Sequence, residues 1–218
     1  MADISLKFLA GGTLRVVDQA AVLLDRFRRE DIGSGYYDYK PLTPLDQLVP
    51  EDLAVTLLVN SQAGWRAFQS LDARGHTVDL RVLPDCPLEN TDASQRRIIA
   101  EMIAEVANWP GFAASVATKV LHKKRPRLIP ILDNQAIFGA YLNPRWPSRL
   151  AASNSIKAKT TILRALDAIH ADLTRSENAI AWVSLWRQEP TRSLIQVFDS
   201  VWWMYFRSIQ PVVRRLAA

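Results

Sequence analysis

The sequence predicts a mainly α-helical protein, and three features of its pattern support this fold class. Apolar residues recur at helical spacing in one segment after another, whereas the strict alternation of half-buried strands is scarce. Proline and glycine separate these segments, and no repeat, low-complexity stretch or long linker interrupts them. The 218 residues, 49% of them hydrophobic, suffice for one large domain or for two small domains packed together.

The N-terminal part is predicted to mix short elements with loops. A helix over residues 18–31 can be capped by Asp18, and Pro50 suits the first turn of a later helix, where Glu51 and Asp52 favour the positive end of the dipole. In order, the elements are a short hairpin or irregular entry (4–17), the helix 18–31, a loop with three tyrosines (33–44), a helix from residue 50, a helix (62–73) and an extended or loop segment (75–87).

The remainder is predicted to be a succession of helices. The first of them can be capped by Asp92 or Ser94, and Pro110 and Gly111 end it. The dense aromatic run at residues 201–206 is expected to lie mostly in the core. These helices span residues 91–109, 112–124, 133–142, 153–173, 176–188 and 191–209.

Composition limits the classes of function. The chain has no apolar run near the roughly 20 residues that span a bilayer and no signal-peptide pattern, so we expect a cytoplasmic protein. Cys86 is the only cysteine and the three histidines are far apart, so no disulfide and no metal site is predicted, nor any cofactor. The net charge of +5 and the isoelectric point of about 9.6 favour a polyanionic partner, although a merely basic surface has the same composition.

Residues 108–135 combine a tight turn, a run of cations and a lone acid. The helix after the Pro110–Gly111 turn begins with unpaired backbone N–H groups, which can hold a phosphate. An apolar run over residues 128–132 then leads to Asp133. The predicted DNA contacts are Pro110, Gly111, Phe112, Ala113, Ser115, Lys119, Lys123, Lys124, Arg125 and Arg127.

Each of these features also has a structural explanation. A Pro-Gly pair between helices is usually only a turn, and a Lys/Arg run at a helix C-terminus commonly compensates the dipole. An Asp in front of a helix is most often an N-cap. The order and the spacing of the features together favour a functional role.

This order resembles the helix-hairpin-helix DNA glycosylase superfamily. Its hairpin, of the form L-P-G-h-G-x-x-(T/A)-A with h apolar, corresponds to WPGFAASVA at residues 109–117, and its catalytic acid corresponds to Asp133. Ala113 replaces the second glycine of the hairpin, and one additional residue separates Pro130 from the acid. Ser115 stands where bifunctional members carry a nucleophilic lysine, so the resemblance implies base removal without strand cleavage.

The resemblance also implies an architecture and a base pocket. We expect a single unit of two helical subdomains, one of about 50–140 and one of about 1–49 plus 141–218, with Asp133 at the mouth of the cleft between them. A flipped base needs stacking and edge contacts, for which the candidates are Tyr36, Tyr37, Tyr39 and Trp65.

The predicted function is that of a monomeric, monofunctional DNA glycosylase acting on double-stranded DNA. Asp133 would stabilise the sugar cation that develops as the N-glycosidic bond breaks. The base can be an endogenous lesion or a hypermodified base of phage DNA. The alternatives are a non-catalytic DNA- or RNA-binding module and a helical protein-interaction protein.

Overall fold

Helices dominate the computed structural model, which describes residues 4–30, 34–59, 63–148 and 156–216, and the prediction of a mainly α-helical fold is confirmed. Within those ranges the one sheet is a two-stranded hairpin. The elements are β1 (Leu6–Phe8), β2 (Arg15–Val17), α1 (Ala20–Arg29), α2 (Ser34–Asp38), α3 (Ala54–Leu57), α4 (Trp65–Arg74), α5 (Ala93–Ala107), α6 (Ala114–Lys124), a π-helix (Asn134–Tyr141), α7 (Lys159–Thr174), α8 (Ala179–Trp186) and α9 (Leu194–Leu216). The first residue of the predicted helix 62–73 and the first three residues of the predicted helix 153–173 lie outside the described ranges.

The chain enters through the hairpin rather than through an irregular segment. β1 and β2 are antiparallel, with Leu6 opposite Val17 and both side chains buried. The predicted cap of α1 is wrong. Gln19, in the left-handed region at φ 56°, precedes the helix without a side-chain cap, while Asp18 accepts a hydrogen bond from the Ser5 hydroxyl at 2.7 Å.

The tyrosine-containing segment also differs from the predicted loop, because residues 34–38 form the short helix α2. Tertiary contacts explain this difference. Tyr36 and Tyr37 bury their rings, and their hydroxyls donate to the Lys119 carbonyl on α6 and to the Asp199 carboxylate on α9. Residue 33 lies outside the described part of the chain. The segment 75–87, predicted to be extended or loop, contains two 3₁₀ turns, at Gly75–Thr77 and Leu80–Val82.

The helices pack around one continuous set of buried side chains. α5 packs against α6 and α7, and α1 packs against α9. Asp92 caps α5 in a capping box with Gln95, one of the two caps that the sequence allows. Trp202 and Phe206 are fully buried, so most of the aromatic run is core, as predicted. The division into two subdomains stays a prediction. α5 and α7, which belong to different predicted subdomains, pack extensively against each other.

Candidate functional site

The Pro-Gly turn between α5 and α6 needs its glycine for two physical reasons. Gly111 has φ 82°, a conformation that L side chains rarely adopt, and a Cβ there would lie 2.4 Å from the backbone nitrogen of Ala67 on α4. The Ser70 hydroxyl, also on α4, donates to the Pro110 carbonyl at 2.8 Å. One side of the hairpin is therefore packed against α4, while Pro110 and Gly111 stay exposed on the other.

The start of α6 does not depend on a second glycine. Ala113 is extended, at φ −152° and ψ 175°, which any residue adopts without strain, so this departure from the glycosylase motif leaves the turn intact. The first-turn amide of Ala114 is already used, because it donates to the Ile156 carbonyl at 2.8 Å. Phe112 is buried against Trp109 with the rings edge to face, and Ser115 is buried as well. Of the predicted hairpin contacts, Pro110, Gly111 and Ala113 thus retain exposed surface.

The basic run at the end of α6 does not face solvent as the sequence prediction requires. Lys124 is 2% exposed, and its ammonium lies 2.7 Å from the Asp52 carboxylate. The same group donates to the Thr43 hydroxyl at 2.8 Å and to the Pro44 carbonyl at 2.7 Å. It is a buried ion pair, neither a phosphate contact nor a solvated face.

Lys123 and Arg125 are used in the same way. The Lys123 ammonium donates to the carbonyls of Tyr36 and Tyr39, and it lies 4.2 Å from the centre of the Tyr36 ring. Burial, together with the neighbouring charge of Arg192, lowers its pKa to about 8. Arg125 donates to the carbonyls at 45 and 80. We therefore correct the predicted role of residues 123–125, because their cationic groups bind the segment 39–45 to α6. Of the cations predicted to contact DNA, Arg127 alone is exposed.

Asp133 is the N-cap of the π-helix. Its Oδ1 accepts hydrogen bonds from the amides of Gln135, at 2.8 Å, and Ala136, at 2.9 Å. Its Oδ2 makes no hydrogen bond with the residues that the structure describes. The segment before it is fixed to α6, since the Leu132 amide donates to the Thr118 hydroxyl at 3.0 Å. The carboxylate is therefore held in one orientation at a half-buried position.

Two titratable groups interact electrostatically with Asp133. Lys119 on α6 is 7% exposed and its ammonium donates to the Ser115 hydroxyl at 3.1 Å. Burial lowers the pKa of Lys119, and the charges of Asp133 and Asp199 oppose that shift. Together, Lys119, Asp133 and Asp199 form what we call the polar cluster.

Asp199, on α9, is the member of the polar cluster that sequence reasoning missed. Burial raises its pKa to about 7, and the negative charge of Asp133 acts in the same direction, against the hydrogen bond from Tyr37 and the charge of Lys119. A carboxyl with that pKa is partly protonated at neutral pH and can either donate or accept a proton. The sequence feature that could have identified Asp199 is a single acid between apolar residues in an aromatic helix, in the segment IQVFDSVWW.

The predicted base pocket is only partly assembled. Tyr36 and Tyr37 lie beside the polar cluster, where their hydroxyls bond to Lys119 and Asp199. Tyr39 is 40% exposed. Trp65 is 68% exposed and stacks on Phe68 at the start of α4, next to the hairpin turn and on a different element from the tyrosines.

A cleft of about 1100 Å³ is lined in part by Tyr37. Its walls come from the segment 37–45 and from the end of α8 with the start of α9, and its floor comes from the loops around residues 87–89 and 123–127. Asp133 is not among its lining residues, so the expected position of Asp133 at the mouth of a cleft is not met here. The lining residues are Tyr37, Asp38, Tyr39, Lys40, Pro41, Leu45, Pro87, Glu89, Lys123, Pro126, Arg127, Trp182, Val183, Trp186, Pro190, Thr191, Arg192, Ser193, Leu194 and Gln196.

With this geometry in hand, comparison with known proteins places the chain in a family. Residues 21–206 match DUF6308, a family of unknown function, and the chain belongs to it. No curated protein and no solved structure matches the chain. The resemblance to DNA glycosylases therefore stays a prediction. Within the described ranges, no helix is long and apolar enough to cross a bilayer, and no group of three or more metal-binding side chains occurs.

Proposed function

We propose that this chain is a monofunctional DNA N-glycosylase that works as a cytoplasmic monomer on double-stranded DNA, with Asp133 as its catalytic carboxylate. The observation that carries the proposal is the setting of Asp133. Two backbone amides hold one of its oxygens, and two buried or half-buried titratable groups, Lys119 and Asp199, interact with its charge. An acid that only caps a helix needs neither of these neighbours.

The chemistry follows from a fixed negative charge. Cleavage of an N-glycosidic bond develops positive charge on the sugar, and a carboxylate that is already oriented stabilises this charge without reorganising. Asp133 meets this requirement because the Gln135 and Ala136 amides fix its rotamer while Oδ2 makes no hydrogen bond with the described residues. Asp199, with a pKa of about 7, is suited to exchange a proton with the attacking water or the departing base.

DNA contacts must come from other groups than the cations of residues 123–125. The exposed face of the hairpin remains available, and Arg66 and Lys157 lie beside it. Arg66 adjoins Gly111, and the Lys157 carbonyl accepts a hydrogen bond from Asn108 at the end of α5. The side chains of Arg66 and Lys157 make no hydrogen bond or ion pair within the described part of the chain. We propose these two side chains as phosphate contacts.

The decisive experiment compares two N-cap aspartates. Asp92 accepts the Gln95 amide at 2.8 Å and caps α5 much as Asp133 caps the π-helix. Because Asn caps nearly as well as Asp, neither Asp133→Asn nor Asp92→Asn should change stability much. Single-turnover release of base, from duplexes carrying alkylated, deaminated, oxidised or glycosylated bases, should slow by about 100- to 1000-fold only in Asp133→Asn.

The other outcomes separate the alternatives. Equal rates for the two variants would remove Asp133 from catalysis. Binding of DNA that weakens steeply with salt, with no base released by the wild type, would support the non-catalytic binding module. Borohydride treatment during turnover tests the monofunctional assignment, since a trapped protein–DNA adduct would show an amine nucleophile.

A further inference from the structure

The cleft described above is a second candidate site, separate from the polar cluster. Its volume of about 1100 Å³ is slightly above the range of roughly 300–1,000 Å³ usual for small-molecule sites. Neither Asp133 nor Lys119 lines it, so its occupant is not determined by the glycosylase chemistry.

The charge of the cleft favours an anion. Four basic and two acidic side chains line it, a difference of +2. Asp38 is already paired with Arg192 at 2.8 Å, and the charge of Glu89 offsets that of Arg127. Lys40 then has no acidic partner at contact distance among the described residues, and Lys123, held by two backbone carbonyls, adds a second positive charge, so the cleft has a positive potential. Arg127 is exposed and makes no side-chain hydrogen bond with described residues, which leaves its guanidinium donors available to a ligand.

The walls also offer flat apolar surface and unused polar groups. Tyr39, 40% exposed, stands on one wall and Trp186, 46% exposed, on the other. The indole N–H of Trp186 donates to the Arg192 carbonyl at 2.9 Å, which holds the ring in place. On the floor, the Oε2 of Glu89 is buried and has no hydrogen-bond partner in the described structure.

The wall that carries Tyr39 is preorganised. The buried cations at the end of α6 bind the carbonyls of residues 39, 44 and 45. Since these bonds exist before any ligand arrives, the segment does not have to be ordered on binding, and its cost in conformational entropy is avoided. The basic run at the end of α6 therefore orders this wall of the cleft, a role distinct from phosphate binding and from solubility.

We propose that this cleft binds a nucleoside phosphate, with the phosphate on Lys40 and Arg127 and the base against Tyr39. The cations Lys40 and Arg127 recognise the dianion, and the exposed ring of Tyr39 stacks on the base. The same chemistry can come from a free mononucleotide or from the phosphorylated end of a strand.

Calorimetric titration of the full-length protein tests the proposal with four probes, namely adenosine 5′-monophosphate, adenosine, inorganic phosphate and a 5′-phosphorylated octanucleotide. The monophosphate should bind more tightly than adenosine or phosphate alone. Tighter binding of the octanucleotide than of the monophosphate assigns the site to strand ends, and the reverse assigns it to free nucleotides. Equal affinity for phosphate and the monophosphate, or no binding of either, would overturn the proposal.

Matched variants locate the site. Arg127 and Tyr39 make no side-chain hydrogen bond with described residues, so Arg127→Ala and Tyr39→Ala should keep the fold, as thermal unfolding can verify. Each should weaken binding of the monophosphate by about tenfold, the loss expected for one charge-assisted hydrogen bond or one stacking contact. Arg74→Ala, at an exposed position on α4 outside the cleft, should leave affinity unchanged. Equal effects of Arg127→Ala and Arg74→Ala would refute the assignment to this cleft.

Asp133→Asn separates this proposal from the proposed enzyme. If the cleft is an independent site, this variant binds the monophosphate with the affinity of the wild type, whether or not the protein releases bases. Loss of monophosphate binding in Asp133→Asn would show that the cleft and the polar cluster are one site and would overturn the inference.

Discussion

Replacing Lys124 by methionine should destabilise the protein severely, although the sequence places this residue in an apparently solvated basic run. The change keeps a long unbranched side chain but removes the ammonium. That ammonium contacts Asp52, Thr43 and Pro44 at 2.7–2.8 Å, and both charged side chains are nearly inaccessible, at 0% and 2% exposure. The variant therefore leaves the Asp52 carboxylate buried without its cation.

The expected magnitude follows from this arrangement. Breaking a buried pair by removing one partner costs about 3–5 kcal/mol, because the remaining charge stays desolvated. At about 2–4 °C per kcal/mol for a chain of this size, the midpoint of thermal unfolding should fall by about 6–20 °C. Asp52 also accepts the Val49 amide at 2.9 Å, so Asp52→Asn alone should lose less than Lys124→Met if Asn keeps that bond.

Urea unfolding of both single variants and of the double variant measures the pair directly. The double variant should be more stable than the sum of the two losses predicts, since it contains no unpaired buried charge. Lys7→Met, at an exposed position on β1, is the control and should change stability by no more than about 0.5 kcal/mol. A loss below about 1 kcal/mol for Lys124→Met would refute the buried pair and reopen a phosphate contact there.

Three further predictions concern titration and backbone geometry. The raised pKa of Asp199, about 7 against 3.8, means that the contribution of Asp199 to stability falls as pH rises from about 4 to about 7. Relative to the wild type, the free energy of unfolding of Asp199→Asn in urea should therefore rise by about 2–3 kcal/mol between pH 5 and pH 8. A difference between the two proteins that stays constant with pH would contradict this. Burial lowers the pKa of His122 from 6.5 to about 4, so the contribution of His122 to stability is present above pH 6.5 and is lost on acidification. In His122→Gln that loss on acidification should vanish. The stability of this variant should then fall steadily from pH 4 to pH 7, as the contribution of Asp199 does. Gly111→Ala should cost at least about 2 kcal/mol, because φ is positive and α4 is in the way, whereas Gly64→Ala, at an extended and open position, should be neutral; similar values for the two would disprove the close approach of α4.

The helices were predictable from sequence because their signals are local. The cap at Asp92 lies within three residues of its partner, and the Pro110–Gly111 break lies directly between two apolar stripes. α2 was missed because its residues are held by contacts more than eighty positions away, on α6 and α9. Local propensity contains no record of such contacts.

The burial of the basic run could not be predicted for the same reason. A Lys/Arg run at a helix C-terminus has the same sequence pattern whether its side chains face water or the interior. Its partners at residues 43–45 and at Asp52 are about seventy to eighty residues away, and most of them are backbone carbonyls, which every sequence supplies. The net charge of +5 therefore overstates the positive surface near α6.

A cap and a catalytic acid are compatible, and the comparison of Asp133 with Asp92 shows what separates them. Both use Oδ1 to accept an amide at 2.8 Å from the first turn of a helix. Asp92 is exposed, and the groups that lower the pKa of its carboxyl, first Ser94 and the Gln95 amide, stabilise the charge, as a structural cap should. Asp133 instead interacts with two buried or half-buried groups: burial raises the pKa of Asp199, with the charge of Asp133 acting in the same direction, and burial lowers the pKa of Lys119, with the charge of Asp133 opposing that shift. A buried amine beside two half-buried acids opposes stability, and fixed arrangements of this kind are typical of functional sites. The polar cluster, more than the cap itself, is thus the reason to test Asp133 as a catalyst.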